Sequence, residues 1–94
     1  MAEKTITKKT KALLESIKDL WFFKVSDRFS AGIPDFIGVY RGIFFAIELK
    51  DKGKKPTKLQ FWIMDKIREA GGKAIWTDKI DDVEDLLRRL KEDS

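Results

Sequence analysis

Two β-rich runs, Asp35–Tyr40 and Ile43–Lys50, meet at Arg41-Gly42, and their alternation constrains the fold more than any other feature. A two-residue turn at that point predicts an antiparallel hairpin. The register sets Asp35 opposite Glu48, Ile37 opposite Ala46 and Val39 opposite Phe44. Side chains on a strand alternate faces. Phe36, Tyr40, Ile43, Phe45, Ile47 and Leu49 therefore make one apolar face and belong to a core. Asp35, Glu48 and Lys50 project from the other. A one-residue slip would separate Asp35 from Glu48.

The rest of the chain supplies layers for that hairpin. Glu3–Leu20 is helical by pattern, with Ile6, Leu13, Leu14, Ile17, Leu20 and Trp21 at three- and four-residue steps. Trp21–Phe29 reads as a strand. Residues 29–34 form a loop in which Gly32 permits positive φ and Pro34 holds Ile33 extended. After a Lys/Gly loop over Asp51–Pro56, Thr57 caps a helix with capping-box spacing to Gln60. Leu59, Trp62, Ile63, Ile67 and Ala70 form its apolar stripe, and Gly71-Gly72 stops it. Lys73–Thr77 is a short strand. Asp81 with Glu84 caps a last helix that turns Val83, Leu86, Leu87 and Leu90 inward. The order αβββαβα predicts a single α/β domain over residues 1–94, a mixed sheet flanked by helices.

Composition limits the chemistry. The 94 residues contain no Cys and no His. That excludes thiol nucleophiles, iron–sulfur clusters, imidazole bases and ordinary zinc sites. What remains is carboxylates, Lys, hydroxyls and a hard metal bound by oxygen. Met1–Lys11 is polar and Lys-rich, unlike a signal peptide, and no apolar run approaches the roughly 20 residues of a membrane span. The chain reads as soluble and intracellular, hence cytoplasmic. The net charge of +4 is unevenly spread: Lys50–Lys58 holds five Lys against one Asp, while the chain from Asp78 holds seven acids against four bases. One basic face toward an anionic partner follows.

Two carboxylates opposite each other on neighbouring strands repel unless a cation lies between them. Lys50 supplies one charge. A divalent metal such as Mg²⁺ would use both carboxylates and a backbone carbonyl, that of Leu49, in the oxygen shell it prefers. Spacing alone leaves both readings open: a surface ion pair at the end of a hairpin, or a metal site.

Gly32-Ile33-Pro34-Asp35, then Glu48-Leu49-Lys50, then Gln60 inside a helix together resemble the PD-(D/E)XK nucleases. More closely they resemble the virus-type replication-repair nuclease (VRR-NUC) family, and the Lys24-Val25 strand and Gly71-Gly72 extend the likeness along nearly the whole chain. The resemblance implies a restriction-endonuclease-like core and Mg²⁺- or Mn²⁺-dependent hydrolysis of phosphodiesters in DNA. It implies that Asp35, Glu48 and the Leu49 carbonyl hold the metal, that Lys50 is the catalytic lysine, and that Gln60 points at the site. A further acidic ligand is implied on the first helix. Of the two candidates, Glu3 falls on the inward side, as a ligand through water or of a second metal, and Glu15 faces solvent.

Lys24, Arg28 and Ser30 are candidates for contacting DNA phosphates, with ordinary exposed residues as the alternative. Lys52, Lys54, Lys55 and Lys58 follow the catalytic strand and suit a backbone grip without base reading. Phe61 and Met64 fall off the apolar stripe beside Arg68, and are expected as an exposed pair at a homodimer contact. The substrate expected by analogy is branched DNA, with a four-way (Holliday) junction first. The rivals are flaps, nicks or plain duplex, a non-catalytic basic DNA-binding module, and a subunit of a larger repair or packaging complex.

Overall fold

A computed structural model describes residues 5–25 and 31–94. Among the described residues, three helices and four strands occur in the order α1 (Thr5–Glu15), β1 (Leu20–Lys24), β2 (Phe36–Tyr40), β3 (Ile43–Leu49), α2 (Lys58–Glu69), β4 (Lys73–Thr77) and α3 (Ile80–Glu92). The αβββαβα order matches the expectation. The sheet runs β1-β2-β3-β4. The first three strands are antiparallel, and β4 joins β3 in parallel after the α2 crossover.

The hairpin has the predicted register, with Ile37 paired to Ala46 and Val39 to Phe44. Arg41 and Gly42 both take positive φ, at 46° and 86°, as a tight type I′ connection requires. The apolar face is buried as expected. Phe36, Tyr40, Phe45, Ile47 and Leu49 cluster with Leu14 of α1 and with Val83, Leu86, Leu87 and Leu90 of α3.

The opposite face is covered unevenly. Over β3 and β4, Ala46 and Ala74 leave room for α2, and Met64 fills it completely, with Ile37, Ile67 and Trp76 around it. Over β1 and β2 no described helix packs in this way. Trp21, Phe23 and Val39 are exposed there; Phe44 of β3, beside Trp62 of α2, and Leu59 of α2 are exposed as well.

Four expectations need correction. Helix α1 ends at Glu15, and the chain turns through Asp19, whose φ is 67°, into a strand that starts at Leu20. Asp19 is held there by Arg41 at 3.1 Å. Trp21 is 60% exposed on the strand, not part of the helix stripe. On α2 the stripe is rotated: Met64 is buried while Leu59 and Trp62 are exposed. The exposed Phe61–Met64 pair therefore does not exist. Phe61 packs edge-on against Trp76 at 6.2 Å, and Arg68 donates to the Ala74 carbonyl at 2.7 Å. Finally, Asp81 is not the α3 cap. The N-cap is Lys79, with no side-chain cap bond, and the Thr77 hydroxyl instead bonds Asp82.

Candidate active site

The site forms where the ends of β1, β2 and β3 meet the N-terminal part of α1. The loop into β2 is pinned on α2. Gly32 has φ 83°, and a Cβ there would lie 2.6 Å from Leu59 Cγ and 2.7 Å from Ile63 Cδ1. Only glycine meets both conditions. Pro34 is buried, and the Asp35 carbonyl accepts from Val25 N–H at 2.7 Å. Asp35 is thereby anchored from its own loop and from β1. Its side chain crosses to β3, where Oδ2 accepts from the Leu49 amide at 2.8 Å.

Glu48 sits on the same sheet face and is only 4% exposed. Its Oε2 accepts from Gln60 Nε2 at 3.1 Å and pairs with Lys50 Nζ at 3.1 Å. Its Oε1 is buried and has no partner among the described residues. Burial raises the Glu48 pKa above its ordinary 4.5, and the neighbouring Asp35 charge raises it further; Lys50 offsets part of this. Gln60 reaches Glu48 from the first turn of α2, where it also completes the capping box with Thr57.

These groups open on a cleft of about 660 Å³ lined by Lys24, Asp35, Glu48, Leu49, Lys50, Lys54 and Lys55. Ile6 and Thr7 of α1 and Asp51 also line it. The sequence reading missed those three. Asp51 directly follows Lys50, and Thr7 follows Glu3 by one helical turn in sequence, so spacing held a signal for both. Glu15 is exposed, as expected. The candidates Glu3, Arg28 and Ser30 lie outside the described residues. Lys52 and Lys58 are exposed and do not line the cleft.

The donor set fits a hard divalent cation. Glu48 Oε1 is a buried oxygen without a hydrogen-bond donor, a costly state unless a cation takes it. Among the described residues no group of three acidic, His or Cys side chains gathers. In an extended strand the N–H and C=O of one residue leave along the same edge. The Leu49 carbonyl thus faces the side on which its amide meets Asp35.

No protein-family model matches the sequence, and no curated protein matches it. A solved structure described as a VRR_NUC domain is similar in fold. It superposes with a TM-score of 0.72 at 24% identity, over 88% of this chain and 90% of that one. With αβββαβα order, a mixed sheet and that superposition, the chain has the fold of a VRR_NUC domain.

Proposed function

We propose that the chain is a metal-dependent nuclease that hydrolyses phosphodiester bonds in DNA. The observation that carries this is the arrangement around Glu48. A buried carboxylate with one unpartnered oxygen lies beside Asp35 and Lys50, in a cleft rimmed by Lys24, Lys54 and Lys55. Asp35, Glu48 and the Leu49 carbonyl would hold Mg²⁺, with Mn²⁺ as a substitute, and Glu3 is a further candidate ligand. When bound, the metal supplies Lewis acidity toward a phosphoryl oxygen and acidifies water.

The chain's own groups do the rest. Asp35 is fixed by Leu49 N–H and cannot swing away from the site. Lys50 is mostly buried and pairs with Glu48 at 3.1 Å, a position from which its ammonium can orient a water or stabilise charge on the phosphate in the transition state. Lys24, Lys54 and Lys55 neutralise phosphates of the bound strand, and Lys52 and Lys58 extend that charge along the loop. Arg28 and Ser30 are assigned to the same backbone.

The substrate we assign is branched DNA, a four-way junction first, cut by a homodimer inside the cell. The dimer reading is supported by the uncovered sheet face. Trp21, Phe23, Val39, Phe44, Leu59 and Trp62 form an apolar surface of the kind that marks a partner contact. This surface takes the place of the Phe61–Met64–Arg68 contact. Among the described residues no helix is long and apolar enough to cross a membrane.

Labelled junction, flap, nicked, duplex and single-stranded DNA, each with Mg²⁺, Mn²⁺ or EDTA, test the reading. Junction cleavage that needs metal supports it. Equal cutting of linear duplex would remove the junction preference, and cleavage in EDTA would remove the metal. Binding without cleavage on every substrate would leave a DNA-binding module.

A further inference from the structure

Gln60 joins two features that sequence reading treats separately, a helix cap and a carboxylate of the site. Its Oε1 accepts from the Thr57 amide at 2.8 Å. Its Nε2 donates to Glu48 Oε2 at 3.1 Å. The Thr57 hydroxyl accepts from the Gln60 amide at 3.2 Å, which fixes where the Gln60 side chain starts.

The direction of the side-chain amide follows from its partners. A backbone N–H only donates, so the group facing Thr57 N must be the carbonyl oxygen. That leaves the NH₂ group for Glu48. A Glu at position 60 would complete the same capping box. It would have no N–H to give, and would set a second carboxylate against Glu48. The helix alone therefore does not require an amide at this position; Glu48 does.

We infer that Thr57 is a positioning residue of the site. The α2 cap orients the Gln60 amide, the amide holds Glu48 Oε2, and Glu48 Oε1 is left as the oxygen for a divalent cation. The inference rests on the reading of Glu48 as a metal ligand. Outer groups that orient ligands in this way change metal affinity by about 10- to 100-fold when removed.

The test compares Thr57→Val, Thr57→Ser and Gln60→Glu in the full chain. Amide spectra of the metal-free proteins report the Gln60 side-chain NH₂. Thr57→Val removes the hydroxyl that accepts from the Gln60 backbone amide, so the first turn loosens and these resonances shift, and in Thr57→Ser they stay. Mn²⁺ titration by calorimetry gives an affinity about tenfold weaker for Thr57→Val and restored by Thr57→Ser. Leu87→Ala, a core variant far from the cap in sequence, loses stability with its Mn²⁺ affinity unchanged. Gln60→Glu keeps the cap acceptor but sets a carboxylate against buried Glu48, so it melts at a lower temperature and cleaves DNA about tenfold more slowly. Unmoved Gln60 resonances in Thr57→Val, or Mn²⁺ affinity that falls equally in Leu87→Ala, would overturn the positioning role. A wild type that binds no Mn²⁺ would instead overturn the metal reading, and the resonances would still decide whether Thr57 orients Gln60.

Discussion

Glu48 faces two opposed demands. The fold buries it, and burial disfavours its charge. A cation site needs that charge. Lys50 and Gln60 satisfy one oxygen and, among the described residues, leave the other unpartnered. Folding raises the Glu48 pKa, so the folded state holds this proton more tightly than the unfolded chain does. Its contribution to stability is then fullest below 4.5 and is lost as pH rises through the raised value. In EDTA, the stability of Glu48→Gln relative to wild type should accordingly increase as pH rises above 4.5. Urea unfolding at a series of pH values measures that gap, and a gap that stays flat or narrows contradicts the account. Mg²⁺ should stabilise the wild type more than the variant, which keeps Asp35 but loses one of the two carboxylates.

Among the elements, α1 and α3 share one side of the sheet and α2 takes part of the other. Thr10 of α1 is fully buried, and its hydroxyl has no partner among the described residues. An unpaired buried hydroxyl costs about 1–3 kcal/mol. Thr10→Val keeps the shape and removes that cost, so it should raise stability by about 1 kcal/mol. A lower melting temperature for this variant would show that the hydroxyl is satisfied. The elements also show what was legible in the sequence. The hairpin register could be read because period-two alternation over Phe36–Leu49 separates a core face from a charged one. Once the register holds, Asp35, Glu48 and Lys50 must share a face, and the thirteen-residue spacing does the rest. The orientation of α2 could not be read in this way. A periodicity argument assumes that the apolar stripe of a helix is buried within its own chain. Here Ala46 and Ala74 make space for the long Met64 side chain, and Leu59 and Trp62 border an uncovered sheet face. The end of α1 was hidden for a different reason. Asp19 takes a positive φ and pairs with Arg41, a residue 22 positions away, and neither feature shows in helical periodicity.

At the scale of the whole molecule, charge and apolar surface divide the labour. Lys24, Lys50, Lys54 and Lys55 line the cleft, and in the proposed function they would neutralise phosphates. Replacing both Lys54 and Lys55 by Gln should reduce the dependence of log K on log salt by about 2, with little change in sequence preference. Fluorescence anisotropy across a salt series checks this; an unchanged slope would take those lysines off the DNA. The uncovered face carries Trp62, 58% exposed, and Trp21. A small domain buries a modest share of its surface alone, and a second copy on this face would bury more. Sedimentation should therefore find a wild-type dimer and a monomeric Trp21→Glu/Trp62→Glu variant. A wild-type monomer, or a variant that stays dimeric, would remove the face from any self-association.

In the proposed function, Asp35 and Glu48 form a cation site for phosphodiester hydrolysis. Single-turnover cleavage of a labelled four-way junction by wild type and by Asp35→Asn, in Mg²⁺ and in EDTA, tests it most directly. The account predicts cleavage by the wild type in Mg²⁺ alone, and none by Asp35→Asn although the variant still folds and binds the DNA. Equal cleavage by both proteins, or cleavage by the wild type in EDTA, would contradict it.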